Sequence, residues 1–337
     1  MSKNGIVTLD DVSKHSGVSA GSISRYLNNS PHVSKKMSKK IEQAMNELNY
    51  TPNVMAQRLA RGRSNNILVY LLHENPAVST TWLYEMPIIQ SIDNYLRENG
   101  YTAQISLNSH LDIENNCRMI KTNITSKMID GIIIISGWTD NHKIIHILQA
   151  EHFPFVMVGN RNDVSPNNEV LFDNKGAVSA LIEKLYKKGH RQFGFFGGYF
   201  DQQHTIDRFQ GFRETCEKLK LQVRNEWIKY GDYSMESGTG FYLEVRSLKE
   251  YPTAIICGND SIAAGVVKGA SLKPGNPKLE VTGFDDTVVA RLFNPPITTV
   301  RVPAAQMGKT AVEALLEMIS RNEFIFESKV LECEIIE

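Results

Sequence analysis

A chain of 337 residues, 42% hydrophobic and 22% charged, has ample apolar content for buried cores and suggests about two domains, which excludes a disordered or low-complexity protein. Its formal net charge of zero hides an asymmetry: residues 1–63 carry ten Lys and Arg against four Asp and Glu, a local charge of +6, and the remainder carries −6. A basic segment ahead of an acidic body predicts a phosphate-bearing partner met by the first part, and the apolar runs are too short to cross a bilayer.

The opening MSKNGIVTLD has no apolar signal-peptide core, so a cytoplasmic location without membrane contact is expected. Thr8 is suited to cap a helix over 9–15, with Asp11 in the capping-box position, and Gly17 to end it in a left-handed conformation. Ser19 is suited to cap a second helix reaching about Leu27. Val12, Val18, Ile23 and Leu27 are the expected shared core. The outward face of the second helix carries Ala20, Gly21, Ser24, Arg25 and Asn28, short or hydrogen-bonding residues around one arginine. That composition suits a helix entering a groove about 12 Å wide, so a helix-turn-helix DNA reader is predicted, with a plain helical hairpin as the alternative.

After a loop through His32, Ser34 is expected to cap a third helix over 35–49, with Met37, Ile41, Ala44, Met45 and Leu48 on one face. Lys35, Lys36, Lys39 and Lys40 cluster at its start, where phosphate contact is expected. Asn53 opens a segment of about two turns, too short to hold itself in water. Arg58, Arg61 and Arg63 flank Leu59 there. A conditional helix with an apolar wedge suits a minor groove, and a plain linker is the equal alternative.

From Ile67 short apolar strands alternate with amphipathic helices. Strands are expected at 67–72, 103–107, 131–135 and 155–158, with helices at 84–99, 113–125 and 141–150. A second round has strands at 193–196, 228–230, 254–257 and 280–284, with helices at 205–219, 236–248 and 260–270. Such alternation means parallel sheets covered on both faces, and two rounds mean two lobes with a cleft at the strand ends. Asn160, just after the strand over 155–158, is a candidate for that cleft. The fold expected is therefore α/β: a helix-turn-helix domain over 1–51, a hinge helix over 52–63, and a two-lobed core of parallel sheets over 64–337.

The run VTLDDVSKHSGVSAGSISRYLNN, followed by VSKKMSKKIEQAMNELNYTPN, resembles the lactose-repressor family of bacterial transcription regulators. So do DNKGAVSALIEKLYKKGH, DRFQGFRE, TAIICGNDSIAAG, VTGFDD and PPITTVRVP, in that order. The resemblance spans almost the full chain. It implies a periplasmic-binding-protein-like core, a homodimer on pseudo-palindromic operator DNA, and a small effector, commonly a mono- or oligosaccharide. A nucleoside effector and a protein corepressor are the alternatives. By motif position, Ala20, Gly21 and Arg25 would read bases, and Ser19, Ser24, Asn28, His32 and Ser34 would contact phosphates. Asn53 would open the hinge helix, and Leu59 would wedge the minor groove. Arg208, Asn259 and Asp285 match polar effector contacts, and Tyr233 matches an aromatic on the ligand ring. The stretch HENPAVSTTWLYEM departs from the family pattern, and its Trp82 and Tyr84 are expected to supply a further aromatic or simply to pack in the core.

Enzyme readings find little support. Asp285 and Asp286 are adjacent and expected to point apart, and no phosphate-cradling Gly-Lys-Ser loop or nucleophile–histidine spacing occurs. Cys117, Cys216, Cys257 and Cys333 are scattered, so buried thiols are expected, with no metal and no cofactor.

Overall fold

The computed structural model describes residues 7–27, 32–51, 63–73, 82–138, 142–159, 161, 167–273 and 279–337. The chain divides into two compact units, Met1–Asn65 with Thr125–Asp130, and the remainder.

In the first unit α1 (Leu9–Ser16), α2 (Ala20–Leu27) and α3 (Lys35–Glu47) surround a small apolar core. Both halves of the capping box form at α1: Asp11 N–H donates to Thr8 Oγ1 at 3.3 Å, and Thr8 N–H to the Asp11 carboxylate at 2.9 Å. Gly17, at φ 67°, stops the helix and turns the chain toward α2. Val12, Val18, Ile23, Ile41 and Ala44 are buried, while Leu27 lies at the edge of the cluster. The third helix ends earlier than its pattern suggests, because Asn49 enters the left-handed region at φ 48°. The expected hinge helix falls, apart from Arg63, on residues outside those described, as do Asn28, Asn53, Leu59 and Asn160.

The second unit begins β1 (Asn66–His73), α4 (Trp82–Glu98), β2 (Thr102–Ser109), α5 (Ile113–Thr125), β3 (Gly131–Ser136), α6 (His142–Ala150), β4 (Phe155–Val158) and β5 (Glu169–Phe172). It continues α7 (Asn174–Lys187), β6 (Phe193–Gly197), α8 (Gln203–Lys218), β7 (Ile228–Tyr230), α9 (Met235–Val245), β8 (Ala254–Cys257) and α10 (Asp260–Leu272). It closes with β9 (Glu280–Thr282), α11 (Val288–Arg291), β10 (Thr299–Arg301), α12 (Ala304–Arg321), β11 (Lys329–Leu331) and β12 (Glu334–Ile336).

Two parallel sheets form, in the orders β11-β5-β4-β3-β1-β2 and β7-β6-β8-β9, with an antiparallel ribbon of β10 and β12 beside them. Strands β3, β4 and β5 are buried at every residue, as expected when helices cover both faces of a parallel sheet. The edge strand β2 is mostly exposed or half-buried. Residues just past the carboxyl ends of the strands meet across the lobes. Gln203 N–H, at the start of α8, donates to the Gly137 carbonyl after β3 at 3.1 Å, and Trp138 bridges Gln202.

The helices α7, α11 and α12 and the strands β5, β10, β11 and β12 have no counterpart among the expected elements. The strands are three or four residues long, too short to carry a period. The final expected strand stops at Thr282 rather than Phe284, which frees Phe284 and Asp285 for the cleft.

Candidate DNA-reading and effector sites

On α2, Arg25 is exposed, and its Nε donates to the Gly21 carbonyl at 3.2 Å. That bond lays the stem along the helix and leaves the two terminal nitrogens for a base edge. Gly21 is exposed, with open space where a Cβ would stand, so packing does not demand a glycine here. Ala20 and Ser24 are half-buried beside it. Two of the expected phosphate contacts also shape the backbone: Ser19 Oγ accepts from Ser22 N–H at 3.3 Å, and Ser34 Oγ from Met37 N–H at 3.3 Å. His32, Lys35, Lys36, Lys39 and Lys40 are all exposed. Tyr26 Oη donates to Glu42 at 2.6 Å and ties α2 to α3, and this bond holds the phenol up to about 12.

In the core unit, Arg208 on α8 is the hub of the cleft. It is 4% exposed. Its Nε donates to Asn174 Oδ1 at 2.7 Å, its Nη1 to the Gly258 carbonyl, and its guanidinium lies 3.6 Å from the centre of the Phe284 ring. Asp285 follows that ring and lies 3.7 Å from Arg208 Nη2. Its backbone is left-handed, at φ 101°, held by its N–H donating to the Val300 carbonyl at 2.8 Å. Burial pushes the Asp285 carboxyl up to about 7 although Arg208 pulls the other way, and Asp285 Oδ1 accepts no hydrogen bond. Adjacent Asp286 turns elsewhere, accepting from Arg301 Nε at 2.7 Å and Arg291 Nη2 at 3.0 Å.

Tyr84, in the first turn of α4, has its ring centre 6.2 Å from both Phe172 and His204. Its hydroxyl is buried without a hydrogen-bond partner. His204 stacks on Phe172 at 5.5 Å, and burial, reinforced by Arg208, pushes its imidazole down to about 3, so the ring is neutral at pH 7. Tyr233 is buried, at φ 63°, with its hydroxyl 2.7 Å from Thr205 Oγ1. A Cβ at Gly198 would stand 2.0 Å from the Tyr233 ring, so that glycine is what admits the ring. A second run of rings crosses the lobes: His110 stacks on Trp138 at 4.0 Å, with Tyr199 5.3 Å beyond.

Arg208, Tyr233, Asp285 and Tyr84 are thus gathered in one place. Asn259 stands behind them: its amide accepts from Ile262 N–H at 2.8 Å and donates to the Tyr233 carbonyl at 3.1 Å, so it caps α10 and holds the left-handed Tyr233. Trp82 packs edge-on to His73 at 4.9 Å, so of the two aromatic candidates Tyr84 is the one brought to Arg208. The sequence reading missed Phe172, His204, Thr205 and Asn174. One signal was available, because His204 lies four residues before Arg208 and so on the same helix face. Buried polar atoms between aromatic walls suit a compact polar ligand with flat faces. Among the described residues no cluster of His, Cys, Asp or Glu could hold a metal, and no helix is long and apolar enough to cross a membrane.

An exposed reader helix with a basic third helix, joined in one chain to a two-lobed core with a polar cleft, defines a DNA-binding regulator. Residues 8–53 match the bacterial regulatory proteins of the lacI family, and residues 182–337 match the periplasmic binding protein-like domain. The chain thus joins a lacI-family DNA-binding domain to a periplasmic binding protein-like domain and is a DNA-binding transcriptional repressor, and its relatives are regulators rather than enzymes. Similar proteins include the HTH-type transcriptional repressor PurR of Serratia proteamaculans (strain 568), 29% identical over 97% of this chain and 94% of that one. The NTD biosynthesis operon regulator NtdR of Bacillus subtilis (strain 168) is 27% identical over 94% of this chain and 93% of its own. In structure, the lac repressor dimer bound to operator and the anti-inducer ONPF matches with a TM-score of 0.85, at 26% identity and 98% coverage of both chains.

Proposed function

We propose that this repressor binds a pseudo-palindromic operator as a homodimer and that a small carbohydrate, held by Arg208, Asp285, Tyr84 and Tyr233, sets its operator affinity. The observation that carries the effector reading is the pair of buried, unsatisfied polar atoms, Asp285 Oδ1 and Tyr84 Oη, beside the Arg208 guanidinium. A buried polar atom without a partner is costly, and the hydroxyls of a sugar can satisfy both while its apolar faces lie on rings. The lac repressor, similar over 98% of the chain, has been seen bound to ONPG in its repressed state. A nucleoside is the second reading, favoured by the stacked pair Phe172–His204, which offers a flat face to a base.

Homodimer formation is supported by large apolar side chains left exposed on the core unit. Leu83 and Met86 on α4 and Ile105 and Leu107 on β2 lie on one lobe, and Leu272, Val288 and Leu292 on the other. Sedimentation of the full chain with Leu292→Asp and Met86→Asp tests this, and an unchanged mass would remove the dimer surface from these positions.

A thermal-shift screen of mono-, di- and oligosaccharides and nucleosides identifies the effector class, since a ligand that binds only the folded state raises the melting temperature. In Asp285→Ala the effector's affinity should fall by roughly one to two powers of ten, the worth of a hydrogen bond to a charged group. Operator binding should stay within about twofold of the parent, because the reader helix lies in the other unit. A variant that binds and responds to the same ligand as the parent would exclude this cleft as the effector site.

A further inference from the structure

The stretch that departs from the family pattern is bracketed by two residues with no role so far, His73 and Glu85. His73 closes β1 at the carboxyl edge of the sheet. Glu85 is in the first turn of α4, next to Tyr84. Their neighbours are apolar, since Leu71 on the same strand face packs in one core with Ile88, Ile89 and Ile92 of α4. Yet both are buried, at 4% and 5% exposure. Glu85 Oε1 is 3.1 Å and Oε2 2.9 Å from His73 Nε2, and the Trp82 ring meets the imidazole at 74° with 4.9 Å between centres.

A carboxylate only accepts, so the proton sits on His73 Nε2 and points at Glu85. In the neutral ring this leaves the lone pair of Nδ1 as an acceptor, and that atom is buried with no hydrogen-bond partner. A buried polar pair is a poor source of stability compared with well-packed apolar residues of similar volume, and a half-satisfied one is poorer still. Glu85 follows Tyr84, whose ring centre lies 6.2 Å from both Phe172 and His204, so the pair sits at the end of α4 that the cleft touches.

We infer that His73, oriented by Glu85, is a specificity-determining acceptor in the effector cleft: it receives a hydrogen bond from a hydroxyl at the end of the carbohydrate remote from Arg208 and Asp285. This rests on the effector reading above and adds to it a demand for a donor at that end. The orphan atoms Asp285 Oδ1, Tyr84 Oη and His73 Nδ1 then have one common explanation, a ligand that completes all three.

Two variants of the full chain decide. His73→Phe/Glu85→Leu removes the acceptor without stranding a charge and keeps an aromatic ring against Trp82. Glu85→Gln keeps an oxygen that accepts from Nε2. Each is melted alone and with D-glucose, D-galactose, D-ribose, lactose, cellobiose or adenosine, and the sugar that stabilises the parent most is titrated calorimetrically into all three proteins. The double variant should melt, without ligand, at or above the parent and bind that sugar on the order of tenfold more weakly, while Glu85→Gln should stay within about threefold.

Equal affinity of the parent and the double variant overturns the inference, as does a ligand-free double variant that melts well below the parent, which would make the pair structural. A loss in Glu85→Gln as large as in the double variant overturns the assignment of the acceptor to His73, because it traces the effect to the Glu85 charge. A parent that no sugar stabilises fails differently: it removes the carbohydrate reading itself, and this inference with it.

Discussion

The reader and the cleft handle polar groups in opposite ways. The interior of the three-helix unit is apolar throughout, from Val12 and Ile23 to Ile41 and Ala44, and its arginine and lysines stand in water. The cleft instead buries Arg208, Asn174, Thr205 and Tyr233, and largely buries Asp285. It also holds two residues other than glycine at left-handed φ, Tyr233 and Asp285. Such backbone costs on the order of 1–3 kcal/mol per residue and persists where the surroundings over-determine it. The difference teaches where each site draws its binding energy. In the proposed function the reader spends solvated charge on phosphates and needs no rearranged interior, and the cleft keeps desolvated groups for a ligand.

That contrast breaks most easily through pH. Asp285 is raised from 3.8 to about 7, and His204 is lowered from 6.5 to about 3. A raised carboxyl contributes stability that is fully present below its unfolded value and is lost as pH climbs through about 7. A lowered imidazole contributes stability that is present above 6.5 and is lost as pH falls toward about 3. Between about 4 and 6.5 the two slopes oppose and largely cancel. Asp285→Asn should therefore gain on the parent at neutral pH, by up to about 4 kcal/mol for a fully desolvated group, and the gain should shrink as pH falls. His204→Gln should show the reverse trend with a smaller amplitude, because that side chain keeps some solvent contact. Urea unfolding of each variant and the parent from mildly acidic to neutral pH measures both. Differences that stay flat with pH would mean that neither group is held in the charge state the cleft implies.

The same contrast explains what the sequence made legible. The Thr8–Asp11 box, the Gly17 turn and the face carrying Arg25 depend on residues three or four apart, so they stand in one window of text. The cleft joins Tyr84, Phe172, His204, Arg208, Tyr233 and Asp285, each delivered by a different strand end or helix turn. Periodicity places the strand ends but does not say which loops meet. Arg208, Tyr233 and Asp285 were reachable only through the family's motifs, and Phe172 lies in none of them. The hydroxyl of Tyr84 is orphaned by its surroundings, a property that belongs to the folded cleft and has no local sign.

A second test acts on the reader's interior alone. Ile23 is fully buried at the centre of the three-helix cluster. Ile23→Ala leaves a cavity and should cost the headpiece about 2–5 kcal/mol, a large fraction of the stability of so small a unit. Operator binding should weaken accordingly, while the calorimetric transition of the core and its ligand response stay as in the parent, because the residues around Ile23 are all in the headpiece. A lowered core transition would mean that the two units share stability and that the contrast between them is not one of independent parts.

The smallest expected effect concerns a single base pair. Arg25 is the long donor on the described outer face of α2, between bare Gly21 and half-buried Ser24. Its Nε is engaged by the Gly21 carbonyl, so base readout falls to the two terminal nitrogens, which match the paired acceptors N7 and O6 of guanine. Arg25→Ala should cost about 1–3 kcal/mol at the operator and should relax the preference at one base pair in each half-site, leaving the others as they were. Arg25→Lys tests the geometry separately: the charge remains, so affinity for non-specific DNA should be kept, but one ammonium cannot reproduce the bidentate fork. Binding measured across single-base operator variants at fixed salt distinguishes the two losses. A uniform drop at every position would assign Arg25 to phosphate rather than to a base, and would make the reader a matter of charge and shape alone.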